Sequence, residues 1–451
     1  MNNKKILVLL KYYKGELNPF DASSLECALN TGCNDITVMA MAPTSVLETF
    51  RSLTRLGVKG VLISDSLYAN SDTLATSFVL SKAIEKIAPD YIFCGRQSVD
   101  GDTGQVPPQL AERLGFNLIT KAMDLKDGVV ITRDNQQVKV VDKSIITFEK
   151  SFNLRFPSMF SKLKEVEVWD NSVLQIDDSL CGTLGSPTQV VKAYESTIGR
   201  RFCKFVEFGE LDSLIKQGLK AQKTENQIQG EKTDKVYFIG NSLKQAKTIC
   251  DNSIGILVDA KTPLQVASEI KEKNAKIVLF SDEEQIKTLA SRVAVILNTG
   301  LCADCTSLRI ENGKFIMTRP ALGGNVTADI ICKNDVALAT VRTTAKKSAD
   351  IVFGVGYGAI EYIDEIQKLA TLYNAEVCSS RKVVDQGKFP YEKQVGLTGR
   401  TIAPKVYVAF GISGAVQHTC AIEGASTIIA INCDKQARIF DYADYGIIKN
   451  L

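Results

Sequence analysis

Residues 406–424 read VYVAFGISGAVQHTCAIEG. Five apolar residues, Val406 to Phe410, break at Gly411-Ile412-Ser413-Gly414, and the apolar pattern then resumes with helical spacing. A continuous apolar run closed by a glycine turn and followed by a helix is how a buried parallel strand feeds its crossover helix. His418, the single histidine among 451 residues, falls in the first turns of that predicted helix.

The same alternation extends outward in both directions. ADIVFGVGYG opens a segment near Ser348 that runs to the end, and KVYFIG, IGILVD, AKIVLFS and SRVAVILNTG read as strand-like runs before it. In the first half KKILVLLK, DITVMAM, KGVLIS and DYIFCG alternate with helical patterns, one opening at Asp21 as N-cap and one carrying Val46, Leu47, Phe50, Leu53 and Leu56 on one face. This predicts an α/β fold built of parallel sheets. After residue 125 the segments GVVITRD, QQVKVVDK and SIITFEK predict a hairpin region, and the basic stretch NLRFPSMFSKLKEV follows. Residues 216–235, KQGLKAQKTENQIQGEKTDK, almost lack large apolar residues and predict a linker between two α/β halves.

Bulk properties narrow the class. At about 100–200 residues per domain, the chain holds two or three domains, and 45% hydrophobic residues can fill several cores. Lys and Arg number 54 against 51 Asp and Glu, a net of +3, which calls for neither nucleic acid nor an anionic membrane. The apolar run of MNNKKILVLLKYYK is too short for a signal peptide and reads as a first buried strand. No run approaches the roughly 20 apolar residues of a membrane span. Twelve scattered cysteines read as reduced thiols in a cytoplasm. Cys302-Ala-Asp-Cys305 has no second pair and no histidine nearby, so it reads as two buried thiols, or a redox dithiol, before a zinc site; no metal is expected.

Ligands of open parallel sheets bind beyond the strands' carboxyl ends. Two stretches suit such a site. In DYIFCGRQSVDGDTGQVPPQLAERLG (90–115) a strand ends at Gly95 and a helix begins near Pro107-Pro108. The loop between them could cradle a phosphate on amides around Thr103 and Gly104 while an aspartate meets a ribose hydroxyl; an ordinary capped strand-to-helix loop is the alternative. In GISGAVQH a nucleophilic serine fails, because Ala415 replaces the second glycine of GxSxG and no second histidine could complete a triad. His418 is then either a satisfied core histidine or a partner for a bound anion, which would offset the helix dipole's effect on an imidazolium.

These residues resemble the electron transfer flavoproteins, with a beta-like portion first and an alpha-like portion second in one chain. The beta-like portion carries LNPFD (17–21), SDTLATS (71–77), GRQSVDGDTGQV (95–106) and AERLG (111–115). The alpha-like portion carries TRPALGGNVTADI (318–330), TVR (340–342), SSRKVVDQG (379–387), QVGLTGR (394–400), GISGAVQH (411–418), AIN (430–432) and DYADYG (441–446). The resemblance implies three parallel-sheet nucleotide-binding domains: residues 1–225 with the hairpin region and a partner-recognition loop, 226–347, and a doubly wound FAD domain over 348–451.

It further implies an FAD carrier that exchanges electrons with flavin dehydrogenases of the acyl-CoA dehydrogenase type. Arg381, Ser413 and Gln417 would meet the pyrophosphate and ribityl chain. Thr398 would stand near flavin N5, His418 would face the pyrimidine end, and Asn432 would contact the adenosine side. Ser380, Val395, Gly396, Gly399, Gly414 and Ala415 complete the implied FAD site, with His418, Arg381 and Thr398 nearest the redox chemistry. A second site, formed by Asp102, Thr103, Gly104, Gln105, Val106, Arg319 and Arg342, would hold AMP, or a second FAD in the bifurcating branch that works with NADH and ferredoxin. Met159 would dock the partner dehydrogenase. A nucleotide-binding regulatory protein without redox work is the competing class. An independent NAD dehydrogenase ranks last, because no GxGxxG turn follows a predicted strand. The chain departs from the family pattern at Pro107-Pro108, Leu397, Tyr357, Asn450 and the short KYYKGE connection.

Overall fold

The computed structural model describes residues 4–195, 200–220, 231–322, 326–342, 348–396 and 399–450. The chain divides into two compact units, Met1–Ala193 with Gly230–Leu322 and Ala328–Arg342, and Tyr194–Gln229 with Gly323–Thr327 and Thr343–Leu451.

In the first unit, nine strands make one sheet: β1 (Lys5–Leu10), β2 (Asp35–Met41), β3 (Lys59–Ile63), β4 (Tyr91–Gly95), β5 (Asn117–Lys126), β6 (Val129–Thr132), β7 (Gln137–Lys139), β8 (Ser144–Phe148) and β9 (Val166–Trp169). Their order is β9-β3-β2-β1-β4-β8-β5-β6-β7. Pairing is parallel from β9 to β5 and antiparallel from β5 to β7. The chain builds outward from β1 to β3, then returns to β1's other side with β4, so the direction reverses between β1 and β4. Ile6 and Val8 enter one core and Leu7 and Leu9 the other, which is why KILVLL is apolar throughout.

Several expectations are corrected here. SIITFEK is not part of the hairpin: β8 is a fully buried parallel strand between β4 and β5. Asp21 is not an N-cap, because helix α1 (Pro19–Asn30) is preceded by Asn18 and places Asp21 in its first turn. The apolar face from Val46 to Leu56 forms three short turns rather than one helix. There the Ser52 and Thr54 hydroxyls donate to the Thr49 and Arg51 carbonyls at 2.6 and 2.7 Å and compete with helix propagation. Helices α2 (Thr73–Ile87) and α3 (Val106–Leu114) form as the sequence predicts, α2 capped by Asp72 and α3 with prolines in its first turn.

A second sheet of the same unit contains β10 (Val236–Ile239), β11 (Ser253–Gly255), β12 (Ile277–Ser281), β13 (Leu301–Cys305) and β14 (Ala337–Val341), in the order β11-β10-β12-β14-β13. SRVAVIL is not a strand; it is the second half of a helix over Glu284–Leu297 that buries Ala290, Val293 and Ala294 at helical spacing.

The second unit holds β15 (Ile351–Val355), β16 (Glu376–Ser379), β17 (Val406–Phe410), β18 (Thr427–Asn432) and β19 (Tyr445–Ile448), all parallel, in the order β16-β15-β17-β18-β19. The two-residue strand Lys204–Phe205 pairs beyond β19. The first five residues assigned to a linker are helical instead: Leu211–Lys220 buries Leu211, Leu214 and Ile215. Gly218 in that helix lies where a Cβ would come within 2.7 Å of Val406, so glycine sets the closeness of helix to sheet. Residues 221–230 of the expected linker lie outside the described residues.

Candidate functional site

The strand order of the second unit is the two-one-three-four-five arrangement of doubly wound sheets, whose crevice lies between the first and third strands. Those strands are β15 and β17, and the loops after them are joined: the Gly356 and Gly358 amides donate to the Phe410 and Gly411 carbonyls at 2.8 and 3.1 Å. The implied FAD residues gather at this carboxyl edge. Ser380 and Arg381 follow β16, Ser413 to Gln417 follow β17, and Asn432 ends β18. Val395 rejoins the edge through its amide, which donates to Ser379 O at 2.9 Å, and Gly399 closes the same segment by donating to Gly396 O at 3.0 Å. Thr398 and Leu397 lie outside the described residues.

Along the GISGAVQH turn burial alternates: Ser413, Ala415 and Gln417 are exposed, whereas Gly414, Val416 and His418 are buried. Gly414 has φ +85°, and a Cβ there would stand 2.0 Å from the Ile439 amide nitrogen, so the turn can pack down only as glycine. Among the described residues the amides of Ser413, Gly414 and Ala415 have no backbone acceptor. Ser379 Oγ, at the end of β16, is buried without a partner among the described residues. An open row of small and amide side chains over free backbone donors fits the diphosphate and ribityl portions of a dinucleotide. Arg381 supplies a cation in the first turn of α4 (Arg381–Asp385), with its Nε 3.5 Å from Asp385.

His418 sits in α5 (Val416–Thr419), a helix shorter than the sequence predicts. Its ring is buried, with Nε2 2.8 Å from the Tyr407 hydroxyl and Nδ1 3.1 Å from Val395 O. Burial lowers its pKa to about 4, so the imidazole is neutral at pH 7. Asn432 is likewise committed within the protein: its amide donates to Ile412 O at 2.9 Å and its carbonyl accepts from the Asp434 amide at 3.0 Å.

In the first unit a cavity of about 980 Å³ opens at the reversal between β1 and β4. The structure brings Thr103, Gly104, Gln105, Val106 and Arg319 to its wall, but not Asp102 or Arg342. Gln105 accepts from the Thr73 hydroxyl at 2.7 Å and donates to Leu301 O at 3.2 Å. Arg319 is only 7% exposed; its Nη2 donates to Gly101 O at 2.8 Å, and its Nε has no partner among the described residues. Asp102 accepts from Gln97 at 3.1 Å. Arg342 serves Asp304 instead: burial alone would raise that carboxyl, but Lys287, Arg342 and Arg319 hold it at about 2.

The walls also contain residues that the sequence did not point to as ligand-binding, Leu9 to Lys11, Met39, Met41 to Thr44, Ile63 to Ser66 and Leu301 to Ala303. Asp21, which the sequence offered only as a helix cap and within LNPFD, lines the cavity too and is the most informative. Its carboxylate accepts from the Lys11 amide at 2.7 Å and the Gly95 amide at 2.8 Å, pinning the ends of β1 and β4 on either side of the reversal. Burial raises its pKa to about 7 against the pull of Asn18 and these amides. LNPFD was the available signal, but its partners become visible only once β1 and β4 are adjacent.

Met159 lies on an exposed loop in which Phe156, Met159 and Phe160 are each more than 90% exposed. The loop is anchored at both ends, by Arg155 on Glu26 at 2.6 Å and by the Lys164 amide on Thr54 at 2.9 Å. Cys302 and Cys305 are buried thiols in β13, and all twelve cysteines are unbridged. No helix among the described residues is long and apolar enough to cross a membrane.

Comparison with known proteins matches both units. The model of the electron transfer flavoprotein domain matches residues 6–173 and 258–364, and that of the electron transfer flavoprotein FAD-binding domain matches residues 346–423. The chain is 36% identical to the electron transfer flavoprotein subunit alpha of Thermoanaerobacterium thermosaccharolyticum, over 40% of this chain and 69% of that protein. It is 37% identical to the electron transfer flavoprotein subunit beta of Megasphaera elsdenii, over 39% of this chain and 74% of that protein. It is 32% identical to the acryloyl-CoA reductase electron transfer subunit beta of Anaerotignum propionicum, over 40% and 70%. With protein FixB of Clostridium saccharobutylicum it shares 36% identity, and spans 62% of that protein's length.

Proposed function

The chain belongs to the electron transfer flavoprotein family, and from that premise we propose that it is an FAD-bearing electron carrier in which beta-like and alpha-like portions are fused, beta first. The observation that carries this reading is the gathering of Ser380, Arg381, Ser413, Gln417 and Asn432, drawn from three separate motifs, at one carboxyl edge beside the β15/β17 crevice. Similarity to both an alpha and a beta subunit, each over about two fifths of the chain, supports the fusion.

When bound, FAD would supply the redox chemistry, since its ring can accept and return electrons. The protein's part is to bind and to set charge. The open amides of the turn and the Ser413 and Gln417 side chains hold the diphosphate and ribityl chain. Arg381 would offer positive charge to the bound flavin, and the neutral His418 would form a fixed polar floor at the pyrimidine end. Asn432 acts by shaping the Ile412 turn on the adenosine side. Thr398 is assigned to the neighbourhood of flavin N5 by resemblance alone.

The cavity of the first unit is the second nucleotide site. Its 980 Å³ lies within the roughly 300–1,000 Å³ of small-molecule sites, room for AMP or for the second FAD of a bifurcating carrier that uses NADH and ferredoxin. Arg319, buried at its wall, is the cation for the anionic part of that ligand. The protruding Phe156-Met159-Phe160 loop docks a flavin dehydrogenase, with Met159 as an adaptable apolar anchor. A relative named as an electron transfer subunit of acryloyl-CoA reductase supports an acyl-CoA-type partner.

Visible absorption tests the reading directly. The purified chain is expected to be yellow, or to take up FAD with a resolved flavin spectrum. A colourless chain that fails to bind added FAD overturns the carrier and leaves a nucleotide-binding regulatory module.

A further inference from the structure

Below the exposed turn of the second unit, a buried polar chain crosses three elements. Tyr407, on β17, is fully buried, and its hydroxyl stands 2.8 Å from His418 Nε2. His418 Nδ1 stands 3.1 Å from the carbonyl of Val395, on the segment beyond β16. Protons in this chain can be placed without ambiguity. A carbonyl only accepts, so Nδ1 carries the hydrogen; Nε2 then presents a lone pair, and the phenol must donate to it.

The sheet makes room for this phenol. Gly354 on the adjoining β15 has no side chain, and a Cβ there would stand 1.8 Å from the Tyr407 oxygen. A phenylalanine would fill the same space, so what the tyrosine adds is its hydroxyl, and that hydroxyl is spent on His418. The imidazole in turn joins two walls of the crevice, the turn that leads into α5 and the segment carrying Val395, Gly396 and Gly399.

We propose that Tyr407 is a positioning residue, whose hydroxyl fixes His418 as the Nδ1–H tautomer and so clasps the Val395 segment to the GISGAVQH turn. This rests on the reading of the crevice as the FAD site, and it assigns the crevice's fixed width to a buried phenol that never touches the ligand. The groups facing the imidazole support it. Burial drives His418 toward neutrality and keeps the Tyr407 phenol protonated, so each is in the form that the clasp requires.

Because His418 is the only histidine, a chain grown with ring-¹⁵N histidine gives a single pair of imidazole signals needing no assignment. Wild-type protein is expected to show a protonated Nδ1 and a bare, hydrogen-bonded Nε2, unchanged between pH 8 and about 5.5. Tyr407→Phe should move the Nε2 signal and admit the Nε2–H tautomer. FAD dissociation should rise roughly fivefold, the equivalent of one net hydrogen bond. Gly354→Ala, which displaces the phenol but keeps it, should change the ring signals in the same sense. An Nε2–H tautomer in wild type, or identical ring signals in wild type and Tyr407→Phe, overturns the clasp. If Tyr407→Phe does not fold, the wild-type tautomer alone decides. Flavin absorbance is read on the same samples: failure to take up FAD overturns the site, whereas FAD uptake with an Nε2–H ring overturns only the clasp.

Discussion

The two crevices obey one topological rule and solve opposite problems. Each lies where a parallel sheet reverses its direction of growth, between β1 and β4 in the first unit and between β15 and β17 in the second. The first is a cavity whose polar wall is already committed: Asp21 pins two strand ends, Gln105 bridges to Leu301, and Arg319 is buried with one donor in use. The second is an open edge, with Ser413, Ala415 and Gln417 exposed above a polar floor sealed by Tyr407 and His418. On the proposed reading, topology places each nucleotide site, and the burial of the surrounding polar groups sets how accessible its ligand would be, the open edge suiting a carrier's exchanging flavin.

Substitutions should separate the two. The largest effect is expected from Gly414→Val, which forces a branched side chain into a left-handed backbone against Ile439. At roughly 1–2 kcal/mol for the backbone and about 1–3 kcal/mol for overpacking, FAD content should fall to near zero while the first cavity still binds nucleotide. Next is Asp21→Ala, which leaves the Lys11 and Gly95 amides buried without an acceptor, at about 1–3 kcal/mol each. Thermal unfolding should move down by several degrees with the flavin spectrum of the second unit intact, and loss of that flavin would merge sites held here to be distinct. Arg381→Ala removes a charge-assisted contact worth about 1.5–3 kcal/mol. FAD affinity should fall roughly ten- to hundredfold, measured by equilibrium dialysis, with a lowered flavin midpoint potential.

Acidity offers a sharper contrast, because the two crevices titrate in opposite senses. His418 has its folded pKa depressed to about 4 from 6.5. Its contribution is complete above pH 6.5 and lost as pH falls toward 4, by up to about 3 kcal/mol. Asp21 has its folded pKa raised to about 7 from 3.8, so its contribution is complete below pH 3.8 and lost as pH rises through 7. Denaturant midpoints of His418→Gln and Asp21→Asn against wild type, taken from pH 4 to pH 8, should therefore diverge at opposite ends. Curves parallel to wild type would remove both assignments. The smallest effect on stability is expected from Met159→Ala, within about 0.5 kcal/mol because the side chain packs on nothing; electron exchange with a partner dehydrogenase should slow while FAD content stays unchanged.

What the sequence disclosed followed from local pattern. VYVAF, ADIVFGVG and KILVLL are buried on both faces and read correctly as parallel strands, and the GISG turn announced the edge on which Ser413 and Gln417 stand. SIITF read as a hairpin strand because alternation across a short run cannot show which neighbours it will meet. SRVAVIL is apolar at both helical and strand spacing, and only its length in context makes it a helix. Asp21 looked like a cap because its real partners, the amides of Lys11 and Gly95, are brought together by sheet pairing. Tyr407 was invisible for a related reason: within VYVAF it is one more apolar strand residue, and only the missing side chain of Gly354 on the next strand reveals that its hydroxyl has a place to go.

The central claim, a nucleotide site in each unit with FAD in the second, is tested most directly by acid release and chromatographic counting of nucleotides per chain. Two nucleotides are predicted, at least one of them FAD, with two FAD marking the bifurcating form and FAD with AMP the simple carrier. A chain saturated with FAD and AMP that releases one nucleotide, or none, would contradict the account.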